Sequence, residues 1–130
     1  MNNLSEYIIE KLRINKDSNK IEYHYHPKDR DELRSLIKEL LKERGKDADL
    51  NDIDVSNVTN MRQLFLATKF NGDISAWNVS NVKNMYGMFN NSKFNGDIYD
   101  WDVSNVEDMR WMFEESPLES NKPDWYKKDF

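Results

Sequence analysis

The chain has 130 residues, 33% of them charged, a net charge of −5 and no cysteine. That size allows one domain, or a cap joined to a short repeat array. Disulfides and thiolate metal sites are excluded, no segment reaches the roughly 20 apolar residues that span a bilayer, and the acid excess argues against nucleic acid, whose phosphates want a basic face.

The chain opens MNNLSEYIIEKL, with acidic residues and no long apolar run. That is not a signal-peptide pattern. The expected location is cytoplasmic, or extracellular if a leader has been removed. Leu4, Tyr7, Ile8 and Leu12 share one helical face and predict a helix over residues 4–13, followed by a polar turn over 15–19. Ile21, Tyr23 and Tyr25 alternate with Glu22, His24 and His26, the pattern of a half-buried strand, which Pro27 stops. Asp29 and Glu32 read as an N-cap with its reciprocal partner. Leu33, Leu36, Ile37, Leu40 and Leu41 then predict an amphipathic helix over roughly 30–44, with Gly45 as its C′ stop. Arg34–Lys38 and Glu39–Glu43 are like-charge pairs, so packing of the leucine stripe must hold this helix.

From residue 49 onward the chain repeats itself with a shift of 24 residues. Asp54-Val55-Ser56-Asn57-Val58 returns as Asn78-Val79-Ser80-Asn81-Val82 and as Asp102-Val103-Ser104-Asn105-Val106. Met61, Met85 and Met109 form one column, Phe65, Phe89 and Phe113 another, and Ile53, Trp77, Trp101 and Trp125 a third. A fixed period of about 20–50 residues marks units that cannot bury their own apolar face and must stack. Gly72 to Val79 reads as a short strand. Val82, Met85, Met88 and Phe89 follow helical spacing, which predicts a short helix, in part 3₁₀, over roughly 82–91.

The words FNGDISxW, DVSNVxxM and MF resemble the BspA-like leucine-rich repeats of bacterial surface proteins, which also occur in phage and viral proteins. The resemblance spans roughly Asp49 to Trp125. It implies a curved solenoid used for adhesion or protein binding, with no catalytic residues. The expected fold is α/β: a short leucine-rich-repeat-like solenoid of about three 24-residue strand–helix units. Residues 1–48 would form a helix–strand–helix cap, 49–125 the repeats and 126–130 a C-terminal tail. Terminal repeats need caps. The cap strand should therefore lie beside residues 49–55, and the amphipathic helix should close the core. The other reading of this module is that it binds something itself. Towards the end the repeat decays: Pro117 to Trp125 replaces SKFNGDIYDW, and Trp125 keeps register to cover the last coil.

Few residues suggest chemistry. Asp73 and Asp97 in the FNGD words could be imagined on calcium, but the EF-hand pattern is missing, and Asn and Asp capping a tight turn explains them. Asn57, Asn81 and Asn105 read as an internal ladder at turns. His24 and His26 could chelate a metal from one strand face, yet there is no third histidine and no cysteine; the plainer reading is two exposed residues of the cap. No nucleophile–base motif, phosphate loop or zincin motif is present. The expectation is no enzyme, no cofactor and no metal.

The fixed columns are explained by stacking, so the changing columns are left for binding. Candidate protein-binding residues are Tyr99 and Asp100 on a strand-lined face, Ser75 and Asp52 from the same changing columns (Asn51, Ser75 and Tyr99; Asp52, Ala76 and Asp100), and Tyr86, Arg110 and Trp111 on or near a helical face. Tyr, Trp and Arg are the types enriched at binding hot spots. Residues 1–49 are net neutral and the whole acid excess lies in 50–130, which favours a basic partner surface or is simply a solvated face. The expected function is a monomeric, non-enzymatic protein–protein interaction module, of the kind a phage or mobile element could encode to occupy a host protein. The alternatives are an adhesin-type fragment with an extracellular ligand and a self-assembling structural unit.

Overall fold

The computed structural model of the chain describes residues 22–127. The expected helix over 4–13, the turn over 15–19, the start of the expected strand and residues 128–130 lie outside that range. One α-helix is present among the described residues, α1 (Arg30–Arg44). The Asp29 carboxylate accepts from the Glu32 amide at 2.9 Å, and Gly45, at φ 89°, donates its N–H to Leu41 O. Glu32 reaches back to the Lys28 amide rather than to that of Asp29. Leu33, Ile37 and Leu40 are buried in the same core as the first repeat. Each such side chain contributes about 1.5–3 kcal/mol of burial.

The expectation of strand–helix units does not hold. Residues 72–79 form no strand, residues 82–91 form no helix, and extended backbone pairs only at isolated parallel bridges. These bridges join Tyr25 to Ile53, Asp49 to Asp73, Asn60 to Asn84 and Asn84 to Asp108. The cap segment therefore does lie beside the first unit, but through one bridge instead of a strand.

Each unit is a succession of turns. Three Asx side chains per unit accept the amide two residues on: Asp49, Asp54 and Asn60; Asp73, Asn78 and Asn84; Asp97, Asp102 and Asp108. An Asx turn of this kind redirects the chain without a helix or a ladder. At the middle corner the serine hydroxyl of Ser56, Ser80 or Ser104 donates to the same oxygen at 2.6 Å.

The segment that mimics a helix is a ribbon of turns over residues 61–68, 85–92 and 109–116. Met61, Gln63, Phe65 and Ala67 donate their amides to Asn84, Tyr86, Met88 and Asn90 of the next unit at 2.8–3.0 Å. Met85, Gly87, Phe89 and Asn91 do the same to Asp108, Arg110, Met112 and Glu114 at 2.7–2.9 Å. The amides between them close turns on residues three back, as Leu64 does on Met61 and Met88 on Met85. Gln63, Ala67, Gly87, Asn91, Trp111 and Glu115 all have φ between 52° and 61°. Positive φ at the third residue of a turn is the type II pattern. It reverses the handedness that successive right-handed turns would otherwise build into a helix.

Stacking in register builds the core. Phe65, Phe89 and Phe113 stack with centroids 5.5 and 5.9 Å apart, and Phe70 stacks on Phe94 at 5.8 Å. Trp77, Trp101 and Trp125 form a second column, at 6.5 and 6.3 Å. Each indole N–H donates to a carbonyl of the preceding unit, Leu50, Ile74 and Ile98 respectively. A buried indole needs such a partner, and the repeat supplies it once per unit. Asn81 and Asn105 add amide bonds to Ser56 O and Ser80 O.

Candidate interaction surface

Polar side chains that recur with the repeat are consumed by the fold. Burial alone would push the Asp73 carboxyl up, but the Ser75 hydroxyl and amide and the Asn51 amide hold it below its ordinary value. The same balance, with Ser56 and His26 as partners, lowers Asp54. Asp97 accepts from the Tyr99 amide. Turn capping thus accounts for the oxygens on which a calcium site could be imagined.

Asp52 is not a surface residue. It is 0% exposed, and Arg44 meets it with two N–H groups at 2.9 and 3.0 Å while His24 Nδ1 lies 3.0 Å away. The changing column Asp52, Ala76 and Asp100 therefore differs for an internal reason at its first position. Asp52 pins the cap segment and the end of α1 to the first unit. His26 likewise pairs with Asp54 at 3.3 Å, so both histidines face carboxylates of the first unit instead of standing free. Among the described residues no group of three or more His, Cys, Asp or Glu could hold a metal ion.

The other candidates divide between two corners. Ser75, Tyr99 and Asp100 are exposed at the first corner, where the Ser75 hydroxyl donates to Asp73 and the Asn121 amide donates to the Tyr99 hydroxyl at 3.2 Å. Tyr86, Arg110 and Trp111 lie on the turn ribbon. There is no strand-lined or helix-lined face to separate them, because neither element forms.

On the ribbon the three units build a stack across the surface. The Arg62 guanidinium lies 4.3 Å from the Tyr86 ring centroid, and that of Arg110 lies 5.5 Å away on the next unit. Both distances suit cation–π attraction. Asp108 orients Arg110 through bonds of 3.1 and 2.9 Å; the guanidinium holds the Asp108 carboxyl below its ordinary value, and Asp108 raises Arg110. Next to this rack Trp111 is 53% exposed, and Tyr99 at the other corner is 46% exposed; no other large hydrophobic side chain among the described residues is as open. Arg62 joins the site although the sequence reading does not single it out. The signal is present: Arg62, Tyr86 and Arg110 share one column, alternating cation and ring.

Beyond Trp111 the last unit ends in a groove of about 530 Å³. Trp111, Phe113, Glu119, Lys122 and Tyr126 are among its walls. Tyr126 packs edge-on against Phe113 at 5.3 Å. Among the described residues no helix is long and apolar enough to cross a membrane.

A family model described as "Mycoplasma protein of unknown function, DUF285" matches residues 34–128, which covers most of α1 and all the repeated units. No curated protein and no solved structure matches the chain.

Proposed function

The chain belongs to the DUF285 family, and from that premise we propose that it is a non-enzymatic protein-interaction module. Its binding face is the turn ribbon carrying Arg62, Tyr86, Arg110 and Trp111. The observation that carries this reading is the cation–ring–cation rack, with exposed Trp111 at its end. None of these side chains is needed for the core, whereas the recurring Asx, Phe and Trp columns are. Arginine and aromatic groups on a rigid scaffold suit a protein partner that offers carboxylates and flat apolar side chains. The resemblance of the repeat words to BspA-like repeats points the same way, towards protein recognition by a stacked array.

The test is affinity capture from host lysate with quantitative mass spectrometry. The wild-type chain is compared with a variant carrying Arg62→Ala, Tyr86→Ala and Trp111→Gly, after circular dichroism has verified that both are folded. A stoichiometric protein lost only in the variant supports the reading. The same protein retained by the variant, but lost on Tyr99→Ala with Asp100→Ala, moves the interface to the first corner. If no partner is captured, the binding-module reading fails.

A further inference from the structure

We propose that Asn95 is a site of spontaneous deamidation, converted through the following glycine to aspartate and isoaspartate, and that the fold protects its repeat equivalent, Asn71. This goes beyond the binding-module reading and does not depend on it. The words Lys-Phe-Asn-Gly-Asp-Ile over residues 69–74 and 93–98 are identical. Their intrinsic reactivity is therefore the same, and only the structure separates them. Packing imposes glycine at both places: a Cβ on Gly72 would meet Phe70 Cε1 at 2.6 Å, and one on Gly96 would meet Phe94 Cε1 at 2.7 Å. With no side chain to shield it, a glycine amide is the most open backbone nucleophile for a preceding asparagine.

In this reaction the Gly96 nitrogen attacks Cγ of the Asn95 side chain. A C–N bond forms to close a cyclic imide, the Gly96 N–H proton passes to water, and the side-chain nitrogen takes up a proton and leaves as ammonia. Water then opens either imide carbonyl. Both reacting groups are free at the second word. Asn95 is exposed, and among the described residues neither its side chain nor the Gly96 N–H has a hydrogen-bond partner; the Asp97 N–H has none either. The first word is held on both sides of its glycine. Asn71 and Asp73 donate their amides to Lys46 O and Ala48 O at 2.8 and 3.0 Å, and Asn71 Oδ1 accepts the Asn95 amide at 2.8 Å. Asn71 must give up that side-chain bond before its Cγ can meet the Gly72 nitrogen, which slows it by about fivefold. The pinned backbone adds to this. The consequence of reaction at position 95 is structural: isoaspartate adds one atom to the main chain between Phe94 and Ile98, both buried in the core.

The test incubates the full-length protein in mildly alkaline buffer, folded and, in parallel, unfolded in urea. Peptide mapping by mass spectrometry follows both asparagines, with fragmentation that distinguishes isoaspartate from aspartate. The identical words make the unfolded chain the internal reference. The expected result is a ratio of Asn95 to Asn71 conversion that is about fivefold or more higher in the folded chain than in urea. Asn95→Gln, whose longer side chain closes the imide poorly, should keep the fold, because the native side chain makes no bond, and should stop conversion at that position while leaving Asn71 as before. Three results overturn the proposal: a folded-chain ratio equal to or below that in urea, no conversion of Asn95 in the folded chain while the unfolded chain converts, or undiminished conversion at position 95 in Asn95→Gln.

Discussion

Gly87→Ala separates the turn ribbon from a helix by the sign of its effect. If residues 82–91 were helical, alanine would stabilise the chain by about 1 kcal/mol. In the structure Gly87 has φ 60°, and a Cβ there would meet Gln63 Cγ at 3.2 Å. Left-handed backbone costs a side-chain-bearing residue about 1–2 kcal/mol, while alanine recovers about 0.4–1 kcal/mol by restricting the unfolded chain. The Gln63 contact adds little, because its side chain can move. The net is a loss of up to about 1.6 kcal/mol, or a melting-temperature drop of up to about 6 °C for a chain this size. Trp111→Gly relieves φ 61° but also loses the packed part of an indole that is only 53% exposed, so the two effects offset and no gain in stability is expected. Urea denaturation at neutral pH, with m-values compared, measures both. A raised midpoint for Gly87→Ala would refute the turn ribbon outright.

Three further outcomes follow from the packing. Asp52→Ala removes a fully buried acceptor shared by Arg44 and His24; the bond from Arg44 to Asp49 O softens the loss, leaving about 3 kcal/mol in a urea titration. Trp101→Phe keeps the ring column but leaves the Ile74 carbonyl without its indole donor, a cost of about 1–3 kcal/mol, whereas Trp125→Phe at the half-buried end should cost less. The carboxyls of Asp54, Asp73, Asp102 and Asp108 are held below their ordinary value of 3.8 in the fold. Their stabilisation is complete above the unfolded value and is lost as pH falls through the lower folded ones. Urea midpoints should therefore fall between roughly pH 5 and pH 2. Asp102→Asn, which copies Asn78 and its two bonds from Ser80, should flatten that fall, and an unchanged acid limb would contradict the assignment.

Much of the candidate surface is legible as columns. Tyr86, Arg110 and Trp111 stand out because they vary where Met, Phe and Val do not. Asp52 is misplaced by the same reasoning, because a single column position cannot show that Arg44 and His24, distant in sequence, converge on it.

The sequence by itself determined the period, the register and the core. Identical apolar residues at a 24-residue shift must stack, and the structure places Phe on Phe and Trp on Trp. It also determined α1, because Asp29, the leucine stripe and Gly45 are local signals that agree. Only the tertiary structure decided what each unit is made of. Val82, Met85, Met88 and Phe89 turn the same side chains inward in a helix and in a ribbon of alternating turns, so periodicity cannot distinguish them. The difference lies in where the amides go: to residues four back in a helix, or across to the next unit here. That choice depends on a neighbour 23 residues away presenting its carbonyls in line, as Asn84 does to Met61, which no local pattern records.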